Sequence, residues 1–108
     1  MVHPKLIINL AEGSLSLSLS QTTAQEMLDF LTSFSGKIQA QTTDRKPTME
    51  YRHIGDVFLE LFGNPNIYVN TFTAKVLVTV RDDKMRLTAE VSLTRLIEDV
   101  QQYLEQIK

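Results

Sequence analysis

Apolar and polar side chains alternate along residues 74–80, where the apolar positions are Ala74, Val76, Val78 and Val80. The alternation returns over residues 85–91, where the apolar positions are Met85, Leu87, Ala89 and Val91. A period of two is typical of strands with one buried face, so the two segments predict a β-hairpin over residues 73–91. With Asp82 and Asp83 as its loop, Val80 lies opposite Met85 and every inward pair is apolar. An odd number of loop residues would set apolar against polar residues throughout.

The period changes to three and four after residue 91. Seven apolar side chains follow the new spacing, namely Leu93, Leu96, Ile97, Val100, Tyr103, Leu104 and Ile107. Charged and amide side chains, Asp99 among them, occupy the opposite side, which is the pattern of an amphipathic helix. We therefore predict a helix over residues 92–107, with Ser92 as its N-cap, that covers the apolar face of the hairpin.

Residues 5–10 and 14–20 alternate in the same way and predict a second hairpin. Glu12 and Gly13 are its expected loop. The expected inward pairs are Leu10 with Leu15, Ile8 with Leu17, and Leu6 with Leu19.

A first helix is predicted to follow this hairpin, because apolar side chains recur at helical spacing at Ala24, Met27, Leu28, Leu31 and Phe34. Gly36 is its expected C-terminal stop. Two capping boxes are candidates for its start, Thr22 with Gln25 and Thr23 with Glu26.

The middle of the chain is less regular. Residues 39–48 are rich in Gln and Thr and predict an exposed loop. Residues 51–62 fit a helical stripe or a strand, and we favour a strand because residues 63–66 have the composition of a turn into residues 67–72. Residues 67–72 either continue into the hairpin or bend at Asn70 and Thr71. The predicted fold is α+β: a two-layer sandwich with a mainly antiparallel sheet of about five strands, two helices on one face, and the order ββαβββα.

Composition narrows the functional classes. A chain of 108 residues predicts a single domain, 1–108, that buries its core without disulfides or metals. The absence of cysteine excludes thiol catalysis and favours a reducing compartment. A net charge of −2 with mixed signs, and no apolar run of the roughly 20 residues that span a bilayer, indicate neither nucleic acid nor membrane as a partner. We expect a cytoplasmic protein without cofactor or metal.

The densest group of polar functional side chains is Tyr51, Arg52, His53, Asp56 and Glu60. Acid–base catalysis would need a carboxylate that orients His53 beside a pocket, and the spacing alone does not supply one. Glycine-rich phosphate loops and the G-x-S-x-G motif are absent from the sequence. We therefore expect no enzymatic activity and no catalytic residue.

The outward side of the predicted sheet suggests an interaction surface instead, because apolar side chains stand there among small hydroxyl residues. Its predicted members are Ile7, Leu77, Thr79, Arg86 and Thr88. The leading hypothesis is a non-enzymatic protein-interaction or assembly module of unassigned pathway. Its expected partner is a second copy of the chain, as a homodimer, or another protein.

The alternative is a small-ligand-binding domain with a small molecule as its partner. Its pocket would lie between the helices and the sheet near residues 51–62, where aromatic side chains stand beside the predicted loop. The predicted pocket residues are Tyr51, His53, Phe58 and Tyr68.

Overall fold

The computed structural model describes residues 4–40 and 44–107. Within these residues the chain forms six strands and two helices: β1 (Leu6–Leu10), β2 (Gly13–Leu17), α1 (Gln21–Gln39), β3 (Met49–His53), β4 (Phe58–Gly63), β5 (Lys75–Arg81), β6 (Arg86–Ser92) and α2 (Leu93–Gln106). The predicted α+β class is confirmed, as is the sequence of a hairpin, a helix, a run of antiparallel strands and a second helix.

The strands form two antiparallel sheets where the sequence predicted one sheet of about five strands. β1 pairs with β2, and the other four strands form a sheet of order β3-β4-β5-β6. Residues 51–62 span two of these strands, joined through Gly55, whereas residues 67–72 form no strand. The Asn66 amide donates to Asn64 Oδ1 and the Thr73 amide to Asn70 Oδ1, both at 3.0 Å. Such local bonds compete with strand pairing.

The pairing of β5 with β6 differs from the prediction by two residues. Val80 lies opposite Leu87 rather than Met85, so the loop contains four residues, 82–85. A two-residue type I′ loop needs positive φ angles, and no described residue other than glycine has one. Asp82 Oδ1 instead accepts hydrogen bonds from the Lys84 and Met85 amides, each at 2.8 Å, and these bonds hold the pKa of Asp82 below its usual value. Met85 is consequently exposed.

The pairing of the first hairpin also differs from the prediction by two residues, but in the opposite direction. Its observed pairs are Leu6 with Leu17, Ile8 with Leu15, and Leu10 with Gly13. Ala11 and Glu12 form the loop, and the unusual backbone angle, a φ of +145°, belongs to Gly13. Glycine adopts this conformation without a steric penalty, so the turn ends where the sequence permits it.

The helix termini confirm one prediction and correct the other. Ser92 caps α2, as predicted, by accepting a hydrogen bond from the Arg95 amide. α1 begins earlier than predicted, because Ser20 is its N-cap and accepts from the Thr23 amide at 3.1 Å. It also continues past Gly36 to Gln39, since Ile38 extends its buried stripe. Of the predicted loop, residues 39–48, residues 41–43 lie outside the described part of the chain.

The helices cover one face of the four-stranded sheet. They contact each other, while α1 packs against β3 and α2 against β1 and β6. The core between them contains side chains from every layer, including Met27, Leu31, Phe34, Leu59, Leu61, Val76, Val78, Leu96 and Val100. Within the described ranges, neither helix has the length and apolar character needed to cross a membrane.

The small sheet is fastened to α2 by a buried carboxylate. The Asn9 amide and the Asn9 Nδ2 group donate to the two oxygens of Asp99, each at 2.9 Å. Arg95 Nε lies 3.5 Å from Asp99 Oδ1, and the Tyr103 hydroxyl donates to the Leu19 carbonyl. These bonds satisfy polar groups that would otherwise be costly to bury.

Candidate functional site

The outer face of the four-stranded sheet is the side that points away from the helices. Successive side chains of a strand point to opposite faces of the sheet. The residues on the outer face are therefore those next in sequence to the residues buried in the core. The cross-strand pairings arrange it in three rows. The first row contains Glu50, Phe62, Leu77 and Glu90, the middle row Arg52, Glu60, Thr79 and Thr88, and the third row Phe58, Arg81 and Arg86.

The first row borders an apolar groove. Phe62 and Leu77 form its floor together with Ile67 and Tyr68 from the irregular segment that joins β4 to β5. The groove has a volume of about 320 Å³, and Lys75 and Glu90 also line it. Ile67 remains 64% exposed. Contiguous apolar surface of this kind is characteristic of contact sites for other molecules.

The middle row is neutral overall and closely packed. Arg52 Nε lies 2.7 Å from Glu60 Oε2, and its terminal nitrogen lies 3.2 Å from Glu50 Oε2. The hydrogen bond to Glu60 and the charge of Glu50 raise the pKa of the Arg52 guanidinium. Thr79 is only 4% exposed, although it lies on the outer face. The side chain of Thr79 therefore does not protrude from the middle of this face, and the charges of Arg52 and Glu60 are paired there.

The third row is positively charged. The Arg81 guanidinium lies over the Phe58 ring, 4.2 Å from its centroid, in a cation–π contact. Arg86 lies directly opposite Arg81 on the neighbouring strand. Like charges at opposed positions repel each other, so this end of the face favours a negative group.

Four of the five predicted interaction residues lie together on the outer face: Leu77, Thr79, Arg86 and Thr88. Ile7 does not, because β1 belongs to the other sheet, where Ile7 lies beside a separate pocket of about 210 Å³ with Asn9 and Asp99. The sequence prediction missed Phe62 and Ile67. The signal that could have revealed them is the absence of any charged residue from position 61 to position 74.

The four residues of the predicted ligand pocket do not meet. Tyr51 and His53 lie on the helix side of β3, whereas Phe58 is on the outer face and Tyr68 lines the groove at the other end of β4. The prediction assumed one strand over residues 51–62, but the intervening loop places its two halves side by side. The proposed pocket between helices and sheet is therefore not assembled from these residues.

Tyr51 fastens β3 to α1. Its hydroxyl donates to Glu26 Oε1 at 2.9 Å, and its ring lies 6.4 Å from that of Phe30, centroid to centroid. Burial, and then the hydrogen bond to the Glu26 carboxylate, raise the pKa of Tyr51 above its usual value. Both causes favour the neutral phenol.

We expect a late tyrosinate transition in a pH titration of the folded protein, monitored by ultraviolet absorbance with circular dichroism in parallel. The raised pKa means that Tyr51 contributes stability below the usual tyrosine pKa and loses it as pH rises through the folded value. A Tyr51→Phe variant should lack this last component. Titration curves that have the same shape along pH in the two proteins, and differ only in amplitude, would contradict the assignment.

His53 takes part in a hydrogen-bonded chain at the start of α1. Ser20 Oγ donates to Thr23 Oγ1 at 3.0 Å, and Thr23 Oγ1 lies 3.5 Å from His53 Nδ1. Thr23 is 5% exposed, so its hydroxyl does not face a substrate-accessible surface. These hydrogen bonds link the N-terminus of α1 to β3.

No protein-family model, curated protein or solved structure matches this sequence. Across the described residues, no group of three or more His, Asp or Glu side chains is arranged to hold a metal ion. The outer face and its groove are thus the arrangement on which a functional proposal can be based.

Proposed function

We propose that the chain is a non-enzymatic protein-interaction module that forms a homodimer through the outer face of its four-stranded sheet. The observation that supports this proposal is the groove formed by Phe62, Ile67, Tyr68 and Leu77, which adjoins the neutral middle row. Water would be displaced from both on contact, and aromatic side chains are enriched in such interfaces. We place the module in the cytoplasm, with protein rather than nucleic acid or membrane as its partner.

The size of the face predicts a weak dimer. Four strands spaced about 4.8 Å apart, with about 3.3 Å per residue, give a flat area of about 450 Å² for strands of the length of β5 and β6. Two such faces together remain below the about 1,200–2,000 Å² of standard specific interfaces. We therefore expect a weak, transient dimer.

Sedimentation equilibrium over low to high micromolar concentrations tests the proposal. The wild-type mass should rise from 12.3 kDa toward twice that value with concentration. A Leu77→Lys variant should remain monomeric, because association would remove its ammonium group from water and place it against the Phe62 ring or the Arg81 guanidinium of the second copy. Circular dichroism should show that this variant remains folded, since Leu77 faces away from the core.

Ile7→Lys is the matched control, because it introduces the same charge at an exposed apolar residue outside the outer face. It should dimerise like the wild type. A wild-type protein that stays monomeric at high micromolar concentration, or a Leu77→Lys variant that dimerises equally well, would contradict the proposal.

A further inference from the structure

We infer that the two copies meet face to face with their strands running in opposite directions, so that the two-fold axis lies between the two faces, perpendicular to the strands and along the middle row. This inference rests on the proposed homodimer and specifies its geometry. The distribution of charges along the outer face supports this orientation.

Opposite charges lie at opposite ends of the face. The third row contains Arg81 and Arg86, whereas the first row ends in Glu50 and Glu90. Arg86 and Glu90 are four residues apart on β6, a separation of about 13 Å along a strand. They therefore do not pair with each other within one copy, and each can face a group on a second copy.

Two orientations allow two such sheets to pack face to face with their strands aligned. When the two-fold axis runs along the strands, β3 of one copy faces β6 of the other. Each first row then lies on the other first row, so that Phe62 meets Leu77 and Glu50 meets Glu90, each twice. Arg52 already neutralises Glu50 within its own copy, at 3.2 Å. Glu90 therefore meets no unpaired positive group, and this orientation is disfavoured.

When the axis crosses the strands, each strand faces its own counterpart and the first row of one copy lies on the third row of the other. Glu90 then meets Arg86, Phe62 meets Phe58 and Leu77 meets Arg81. Each contact occurs twice because of the symmetry. Arg52 and Glu60, near the axis, already neutralise each other at 2.7 Å within each copy.

The two ends of the sheet extend this complementarity. Lys75 lies one row beyond the first row, and the β5–β6 turn beyond the third row contains Asp82, Asp83 and Lys84, with a net charge of −1. Reversing one copy brings Lys75 toward this turn. The antiparallel orientation therefore sets groups of opposite charge against each other at both ends of the contact.

A charge-swap experiment tests the orientation. Arg86→Glu and Glu90→Arg should each raise the dimer dissociation constant about tenfold, since each creates two like-charge contacts. The double variant Arg86→Glu/Glu90→Arg should recover to within about threefold of the wild type, because both contacts are restored with reversed sign. Sedimentation equilibrium measures all four proteins, and thermal melting checks that each is folded.

The experiment distinguishes a wrong orientation from a wrong homodimer. If the wild type is dimeric but the double variant loses as much association free energy as its two single changes added together, the inferred orientation is wrong and the homodimer remains. Tighter association of Glu90→Arg by itself would do the same, because it indicates that Glu90 faces Glu50. A monomeric wild type would overturn the proposed homodimer.

Discussion

A Val78→Asp variant is expected not to fold. Val78 is 2% exposed and lies between Leu61 on β4 and Ala89 on β6, on the face that the helices cover. An aspartate there would bury a carboxylate without a partner, or a protonated acid without its hydrogen bonds, at a cost of several kcal/mol. Domains of this size are stable by only about 5–15 kcal/mol in total. Circular dichroism and urea denaturation should show no cooperative transition.

Thr88→Asp is the control for this experiment. Thr88 lies on β6 next to Ala89, but its side chain is exposed on the outer face, so the same new charge remains in water when both proteins are compared as monomers at low concentration. This variant should unfold cooperatively at nearly the wild-type urea concentration. A soluble, cooperatively folded Val78→Asp protein would show that the assignment of inner and outer faces is incorrect.

A Gly63→Ala variant is expected to lose about 1–3 kcal/mol of unfolding free energy through overpacking. Gly63 ends β4 on the inner face, and a Cβ atom there would lie 2.6 Å from both Cε1 and Cζ of Phe34. The Phe34 ring is fully buried between the layers and cannot withdraw without displacing its own neighbours. Urea denaturation monitored by circular dichroism provides the measurement.

Two further variants isolate the steric cause. Gly36→Ala should stabilise the protein by about 0.5–1 kcal/mol, because Gly36 lies inside α1 and no atom lies within 4 Å of its added Cβ. Gly63→Ala combined with Phe34→Leu should lose less unfolding free energy than the two single variants added together, since the smaller side chain at position 34 relieves the clash. Full additivity, or a Gly63→Ala protein as stable as the wild type, would contradict this packing.

The faces of the strands were predictable from sequence, but their pairing was not. Alternation identifies Val78 and Val80 as inward whatever their partners, because burial permits one parity only. A shift of two residues preserves that parity and still pairs apolar with apolar. Turn chemistry decided between the two alignments, through Asp82 in one hairpin and Gly13 in the other. Periodicity contains no information about either.

Contacts between distant segments were also beyond prediction. Asp99 appears in sequence as one of several polar residues on the exposed side of a helix, yet it is 6% exposed and bound to Asn9, 90 positions away. The segment after β4 resembled a strand because its Ile, Tyr, Val and Phe residues favour extended structure. Its asparagines fold it into an irregular connection instead.

The candidate surface was predictable in part for the same reasons. Leu77, Thr79, Arg86 and Thr88 follow from alternation within one hairpin, which is local. Phe62 and Ile67 could not be added to them from sequence, because β4 and its following segment join the surface only through the pairing of β4 with β5. The grouping of Ile7 with Leu77 was wrong because it assumed a single sheet.

The central claim is that association occurs through the outer face. The most direct measurement is a set of amide ¹H–¹⁵N spectra of the wild-type protein recorded from low micromolar to millimolar concentration. We expect concentration-dependent shifts in β4, β5, β6 and the groove residues Ile67 and Tyr68, with α1 unchanged. Spectra that do not change, or changes confined to α1 and the β1–β2 sheet, would contradict the claim.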